Sequence, residues 1–246
     1  MMFLYKKLSR FAARHVAKRY LNLGKQRGVV SFSFDDVPAS ACRLGAEILE
    51  RYEAKGTFYV CGGLTERIEQ SEMCHSVQDL QNLHAQGHEI ACHTFSHTNC
   101  ANTGLAALKA DWKRNQDFFS RHQLQQTGFA FPFGAYDLPS KIAASRLFAY
   151  SRITGGGTQI GRADLNALRA QALYAQSTNA DTILELIQQT ATEGGWLIFY
   201  SHEVSPNPGP WGTTPEQLET ALRIAKQLGC KVLPVAQGIE FFKLQG

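Results

Sequence analysis

The feature that most constrains the fold is an alternation: short apolar runs, rich in aromatic and β-branched residues, are separated by stretches with helical spacing of apolar positions. Residues 28–34, 57–60, 88–92, 129–134, 148–153, 196–201 and 231–235 read as strands, with one more near 172–175. Residues 40–54, 76–86, 103–122, 138–147 and 180–193 read as helices. Thr214-Pro215-Glu216-Gln217 opens a further helix with an N-cap, a first-turn proline and a capping box. Gly155-Gly156-Gly157 lacks the Lys-Ser/Thr ending of a phosphate-binding loop and reads as a turn. Such alternation calls for a parallel sheet wrapped by helices. A chain of 246 residues holds one such domain with a full core, not two.

The polar residues that stand out fall at the C-terminal ends of these strands, where parallel β/α barrels build their sites. Asp35 and Asp36 end the first run, and adjacent carboxylates repel unless a cation or hydrogen bonds compensate. His93 and His97 follow the third run, and rings four residues apart face the same way on a helical or tightly turned backbone. One carboxylate with two imidazoles can hold a divalent ion and leave positions open for water and substrate, as catalytic rather than structural metals require. The second carboxylate supplies a base, and His202 adds an imidazole at the end of another run. Each group alone has a plain alternative, a solvated strand end or a satisfied histidine. Their joint occurrence at separate strand ends carries the reading. His15, His75, His84, His88 and His122 lack that context and are read as structural.

The net charge of +4 conceals an uneven distribution. Residues 1–34 hold eight basic side chains and no acid, leaving 17 basic against 21 acidic residues in the rest. The opening apolar stretch is too short for a secretory signal, and no run of about 18 apolar residues exists. On a helical wheel Leu4, Leu8, Phe11, Ala12 and Val16 oppose Lys6, Lys7, Arg10 and Arg14, so residues 1–28 are expected to form a basic amphipathic leader ahead of a body at 29–246. That helix suits either an anionic membrane surface, reached through residues 1–25, or the protein's own body. Nucleic acid is excluded as a partner, since no interleaved aromatic and basic platform is present. The six cysteines show no paired spacing and are expected as reduced thiols, with Cys92 packing rather than ligating because a strand turns it away from His93.

Phe34-Asp35-Asp36, Lys55 to Val60, Gly87 to His97, Pro132-Phe133-Gly134 and Ile198 to His202 together resemble the NodB-homology polysaccharide deacetylases, carbohydrate esterase family four. The resemblance covers about residues 29–240 and is most specific over His93 to His97. It implies an α/β fold, a distorted (β/α)7 barrel in a single domain behind the basic helix. It further implies metal ligation by Asp36, His93 and His97, Asp35 as base, His202 as acid and the Phe133 N–H at the oxyanion, beside Pro132. The metal implied is divalent: zinc first, with cobalt, nickel and manganese as alternatives. Tyr200 and Trp211 are candidates for an apolar wall against an acyl methyl and a sugar face.

Three departures from the family pattern are visible. Val37-Pro38 stands where the first motif continues with glycine, Ala130 where the third begins with arginine, and the usual Asp-plus-Trp fourth motif is not recognisable. Arg152, at a strand end, is the first candidate to supply the missing guanidinium, with Arg162 second. The expected function is hydrolytic removal of an N-acetyl or other small acyl group from an amino sugar. The expected substrate is a saccharide intermediate of surface-glycan synthesis, lipid-linked or not. The expected location is cytoplasmic, peripheral at the cytoplasmic membrane face. A deformylase or deacylase of a lipid-linked sugar or other non-peptide amide, and a catalytically weak sugar-binding relative, are the alternatives.

Overall fold

The computed structural model describes residues 2–24, 27–69 and 71–244, with the side chains of residues 2–8 outside the description. Helix α1 (Met2–His15) and strand β1 (Tyr20–Asn22) precede β2 (Val29–Asp35). A π-helical turn (Ala41–Gly45) runs into α2 (Ala46–Arg51), followed by β3 (Thr57–Val60) and a small hairpin, β4 (Ile68–Glu69) and β5 (Glu72–Met73). Then come α3 (Val77–Ala85), β6 (Glu89–Cys92), α4 (Leu105–Arg121), β7 (Phe129–Ala130), a 3-10 turn (Pro132–Gly134) and α5 (Leu138–Leu147). The chain continues through β8 (Ser151–Thr154), β9 (Arg162–Asp164), β10 (Leu168–Ala172) and α6 (Ala180–Glu193). It ends with β11 (Trp196–Ser201), α7 (Pro215–Gln227), β12 (Lys231–Val232) and α8 (Val235–Lys243).

Strands β2, β3, β6, β7, β8, β10 and β11 form a parallel ring closed by the pairing of β11 with β2. This is the expected distorted (β/α)7 barrel. The distortion is visible in the register. Strand β11 runs alongside β2 from Trp196 opposite Val29 to Ser201 opposite Phe34. In contrast β6 meets β7 at Cys92 opposite Phe129 alone. Strand β12 adds to the N-terminal end of β2, opposite Val29 and Val30.

Alternation along β2 explains how the first carboxylate reaches the axis. Val30, Phe32 and Phe34 belong to the outer core under the helices, so Ser31, Ser33 and Asp35 point inward. The small serines leave room for Trp196, whose indole N–H donates to Ser31 Oγ at 3.0 Å. The same parity puts Tyr59, Ala91, Ala130, Tyr150 and Ile198 in the inner core and Phe58, Ile90, Phe129 and Leu197 in the outer one. Inside the ring, Glu89 accepts from Tyr150 Oη at 2.7 Å and Thr57 Oγ1 at 2.8 Å, which satisfies a buried carboxylate.

Several expectations are corrected. The closing strand expected over residues 231–235 stops at Val232, because Pro234 caps α8. The run at 129–134 is strand only at Phe129–Ala130, where Pro132 opens the turn. The strand near 172–175 lies earlier, and β1 pairing antiparallel with β9 was not expected. Helix α1 packs on α5 with Ser9 and Ala13 buried, whereas Phe11 and Val16 of the expected apolar stripe are 66% and 49% exposed; the side chains of Leu4 and Leu8 in that stripe lie outside the described residues. Small residues permit that close approach, and the Leu138 N–H donates to Ser9 Oγ at 3.2 Å. All six cysteines are free and buried.

Candidate active site

Asp35 ends β2 as an inward residue, and the chain then makes two left-handed residues in succession, Asp36 (φ 57°) and Val37 (φ 58°). Only this reversal lets two adjacent carboxylates enter one hollow, since a continued strand would send Asp36 outward. Val37 is β-branched and strained there, at the position where glycine is usual in the resembled motif. Its carbonyl is gripped by His75, through the backbone N–H at 3.0 Å and Nδ1 at 3.1 Å, while His75 Nε2 meets Thr65 Oγ1 at 3.1 Å. Burial lowers the His75 pKa to about 4, so the ring is neutral and bridges the two groups. His75, set aside as structural, therefore supports the turn that carries both carboxylates.

His93 follows β6 and His97 follows a loop with left-handed residues at Thr94 and His97. This is a tight turn, not a helix. Asp111, on the buried face of α4, accepts from the Phe95 N–H at 2.7 Å and the Ser96 N–H at 3.3 Å, and Thr94 Oγ1 accepts from the Thr98 N–H at 2.9 Å. Asn115, one turn later, accepts from the Gly62 N–H at 2.8 Å and donates to the Val60 carbonyl at 3.0 Å. Two polar residues, Asp111 and Asn115, interrupt the apolar stripe of that helix at i and i+4, a signal that sequence reading passed over.

The Asp36 carboxylate and the ring nitrogens of His93 and His97 lie within 4.8 Å of one another. His93 donates through Nδ1 to the Ala130 carbonyl at 2.8 Å, which leaves the Nε2 lone pair for a ligand, 3.9 Å from Asp36 Oδ1. His97 Nε2 is 3.4 Å from the same oxygen. Asp36 Oδ2 is buried without a hydrogen-bond partner, the condition a cation would relieve. Burial lowers His93 to about 3 and also lowers His97, so both rings are neutral. Burial, opposed by His202 and reinforced by Asp35, lifts Asp36 to about 6. This donor set fits a divalent ion.

Arg152 forms a buried ion pair with Asp35 through Nη2. Its guanidinium carbon lies 4.8 Å from the Tyr59 ring centre and 5.1 Å from that of Tyr200. Burial would raise Asp35, but Arg152, with His93 and His202 nearby, holds the carboxyl below its usual value. Register explains the arginine's position: Arg152 on β8 is directly opposite Ala130 on β7. The small methyl side chain of Ala130 leaves space beside its cross-strand neighbour for the long Arg152 side chain. Arg162 is not in this site; it stands over Tyr20 at 4.3 Å.

His202 places Nε2 3.8 Å from Asp36 Oδ2 and donates through Nδ1 to the Trp211 carbonyl at 3.1 Å, which also accepts from the His202 backbone N–H at 3.2 Å. A cleft of about 410 Å³ opens over Asp35, His93, His97 and His202, walled by Phe133, Gly134, Thr154, Tyr174, Tyr200 and Trp211. Phe133 is left-handed (φ 60°), and its ring lies 4.5 Å from that of His97. Pro132 is buried beneath it. Tyr174 packs against both Tyr200 and Trp211 and was not foreseen.

A family model described as polysaccharide deacetylase matches residues 23–149, just over half of the chain. No curated protein matches significantly. Among solved structures, a CE4 family pseudoenzyme from Bacillus anthracis has a TM-score of 0.61 at 14% identity, covering 88% of this chain and 66% of that one. A family 4 acetyl xylan esterase from Clostridium thermocellum, in complex with cobalt, has a TM-score of 0.61 at 20% identity, covering 87% and 91%. A family 4 carbohydrate esterase from Bacillus subtilis has a TM-score of 0.61 at 14% identity, covering 95% and 88%. These likenesses show a shared fold, and with the family match over the strands that carry Asp35, Asp36, His93 and His97 the chain belongs to the polysaccharide deacetylase family.

Proposed function

We propose that this protein is a metal-dependent hydrolase that removes an N-acetyl or other small acyl group from an amino sugar. The observation that carries this reading is the buried Arg152–Asp35 pair set beside the Asp36, His93 and His97 cluster, with His202 across the same cleft. Asp36, His93 and His97 would hold the ion, zinc first, with cobalt, nickel and manganese as alternatives. A bound divalent cation supplies Lewis acidity toward the acyl carbonyl and makes a water more acidic.

Asp35, kept ionised and oriented by Arg152, accepts the proton of the attacking water. The Phe133 N–H, in its left-handed turn beside His97, donates to the developing oxyanion. His202, anchored through Nδ1, protonates the departing nitrogen, without which the amine would leave as an anion. Tyr200, Tyr174 and Trp211 supply the apolar wall for the acyl methyl and a sugar face.

The substrate in this reading is a saccharide intermediate of surface-glycan synthesis, met at the cytoplasmic face of a membrane. The exposed Phe11 on the basic helix α1 and the exposed Val16 just past its end support that placement, and salt-sensitive flotation with anionic vesicles, weakened in a Phe11→Ser/Val16→Ser variant, checks it. The activity is tested by metal analysis together with acetate or formate release from N-acylated amino sugars, comparing wild type with Asp35→Asn. Bound metal with no release from any sugar would favour a sugar-binding protein instead.

A further inference from the structure

A second cavity, of about 460 Å³, shares Gly134 and Thr154 with the catalytic cleft. These two residues form the wall between the neighbouring cavities and are tightly packed, since a Cβ at Gly134 would lie 2.1 Å from Thr154 Oγ1. We propose that this cavity is a subsite for an anionic, phosphate-bearing part of the substrate. The proposal rests on the deacylation reading of the neighbouring cleft and extends it from the reacting sugar to what that sugar carries.

Five basic side chains line the cavity; Lys141 is paired with Asp164, which leaves four cations, Arg14, Lys18, Arg162 and Arg169. The acid among its lining residues, Asp164, is already committed. Its Oδ2 pairs with the buried Lys141 at 2.8 Å, and its Oδ1 accepts from the N–H groups of Arg19 at 2.9 Å and Asn166 at 3.0 Å. Among the described residues none of the four cations has a carboxylate within ion-pair distance. Like charges around one hollow repel, and an anion between them offsets that repulsion. A single carboxylate would leave most of the charge uncompensated, whereas phosphate or diphosphate oxygens match both the charge and the planar guanidinium fork.

The arrangement is held in place, and the N-terminal segment supplies half of it. Lys141 Nζ donates to the carbonyls of Ala13 at 3.0 Å and Val16 at 3.2 Å, and Asn166 Nδ2 donates to that of Ala17 at 2.8 Å. These bonds fix the backbone that carries Arg14 and Lys18. The pairing of β1 with β9 sets Arg162 opposite Asn22, and its guanidinium lies over Tyr20 at 4.3 Å. Arg169 is braced by the Thr158 carbonyl at 3.2 Å. The basic character of the leader thus acquires a local purpose in the fold.

The test compares wild type with Arg162→Ala/Arg169→Ala on two substrates, a neutral N-acetylglucosamine oligomer and N-acetylglucosamine bearing a diphosphate ester at C1. Both side chains are exposed, and an unchanged circular dichroism spectrum and melting temperature confirm folding. The expected result is a rise in KM of about 100-fold for the phosphorylated substrate, about 10-fold per guanidinium, with kcat and the neutral substrate unaffected. Equal losses on both substrates, or none, would overturn the proposal. Calorimetric titration of inorganic pyrophosphate into the full chain separates it from the deacylation reading. Binding that disappears in the double variant supports the subsite even if no sugar is turned over. Turnover of the neutral oligomer by a wild type that ignores pyrophosphate overturns the subsite and leaves the deacylation reading standing. Phosphatidylglycerol vesicles retained by wild type but not by the variant, with unchanged KM for the phosphorylated sugar, would assign the cations to lipid headgroups and likewise overturn it.

Discussion

Arg152 places a full charge inside the barrel with Nε and Nη1 lacking hydrogen-bond partners, so its partnership with Asp35 and its position between two tyrosine rings bear most of the burden of keeping it there. Removing one member of such a pair strands the other. Arg152→Met is expected to lower stability by about 3–5 kcal/mol in urea unfolding. It also removes the main influence holding Asp35 below its usual value, so the acidic limb of the kcat/KM profile should move to higher pH. An unmoved limb would show that Asp35 is not the group titrating there. Asp35→Asn should reduce kcat by about 100- to 10,000-fold while the metal content stays at the wild-type level, because Asp36, His93 and His97 are untouched.

Between neighbouring strands, register decides which residues can share work. Position 130 was readable in the sequence as a lost arginine, and Arg152 as its candidate replacement, but one chain alone does not reveal that the two are opposite each other on β7 and β8. The helix-wrapped parallel sheet was legible from the alternation, and the strand-end carboxylates and histidines because they contradict the apolar runs before them; the count of seven strands and the choice of Asp36 as the ligand came from the family resemblance. The left-handed turn at Asp36 and Val37 was not legible, since nothing in a valine announces a positive φ. Asp111 went unrecognised for a related reason: the donors it accepts from, the Phe95 and Ser96 N–H groups, are set by how α4 docks on the His93–His97 loop. Asp111→Ala should free that loop and weaken metal binding roughly 10- to 100-fold in a chelator competition, with little change in His93, which is anchored separately to the Ala130 carbonyl.

Over the whole molecule, two buried neutral histidines outside the metal cluster make the fold sensitive to acid. Burial lowers His75 and His88 to about 4, below the ordinary value of 6.5 that an unfolded chain would show. Between those values the unfolded state binds more protons, so stability is complete above about 6.5 and declines as pH falls toward 4, by up to roughly 3 kcal/mol for each ring. Denaturant midpoints measured from pH 7 to 4.5 should fall steadily, and His75→Gln should flatten the slope. Truncation before residue 20 is expected to lower the melting temperature, since Lys141 would lose the Ala13 and Val16 carbonyls. The ring itself is stitched unevenly, continuous where β11 lies along β2 and sparse on either side of β7. The proposed proton-handling side chains Asp35 and His202 follow the tightly sewn seam, whereas His93 leans on the looser one through Ala130. Breathing of the barrel on warming should therefore loosen cation retention before it disturbs the acid–base couple, and amides of β6 and β7 should exchange with deuterium ahead of those in β2 and β11.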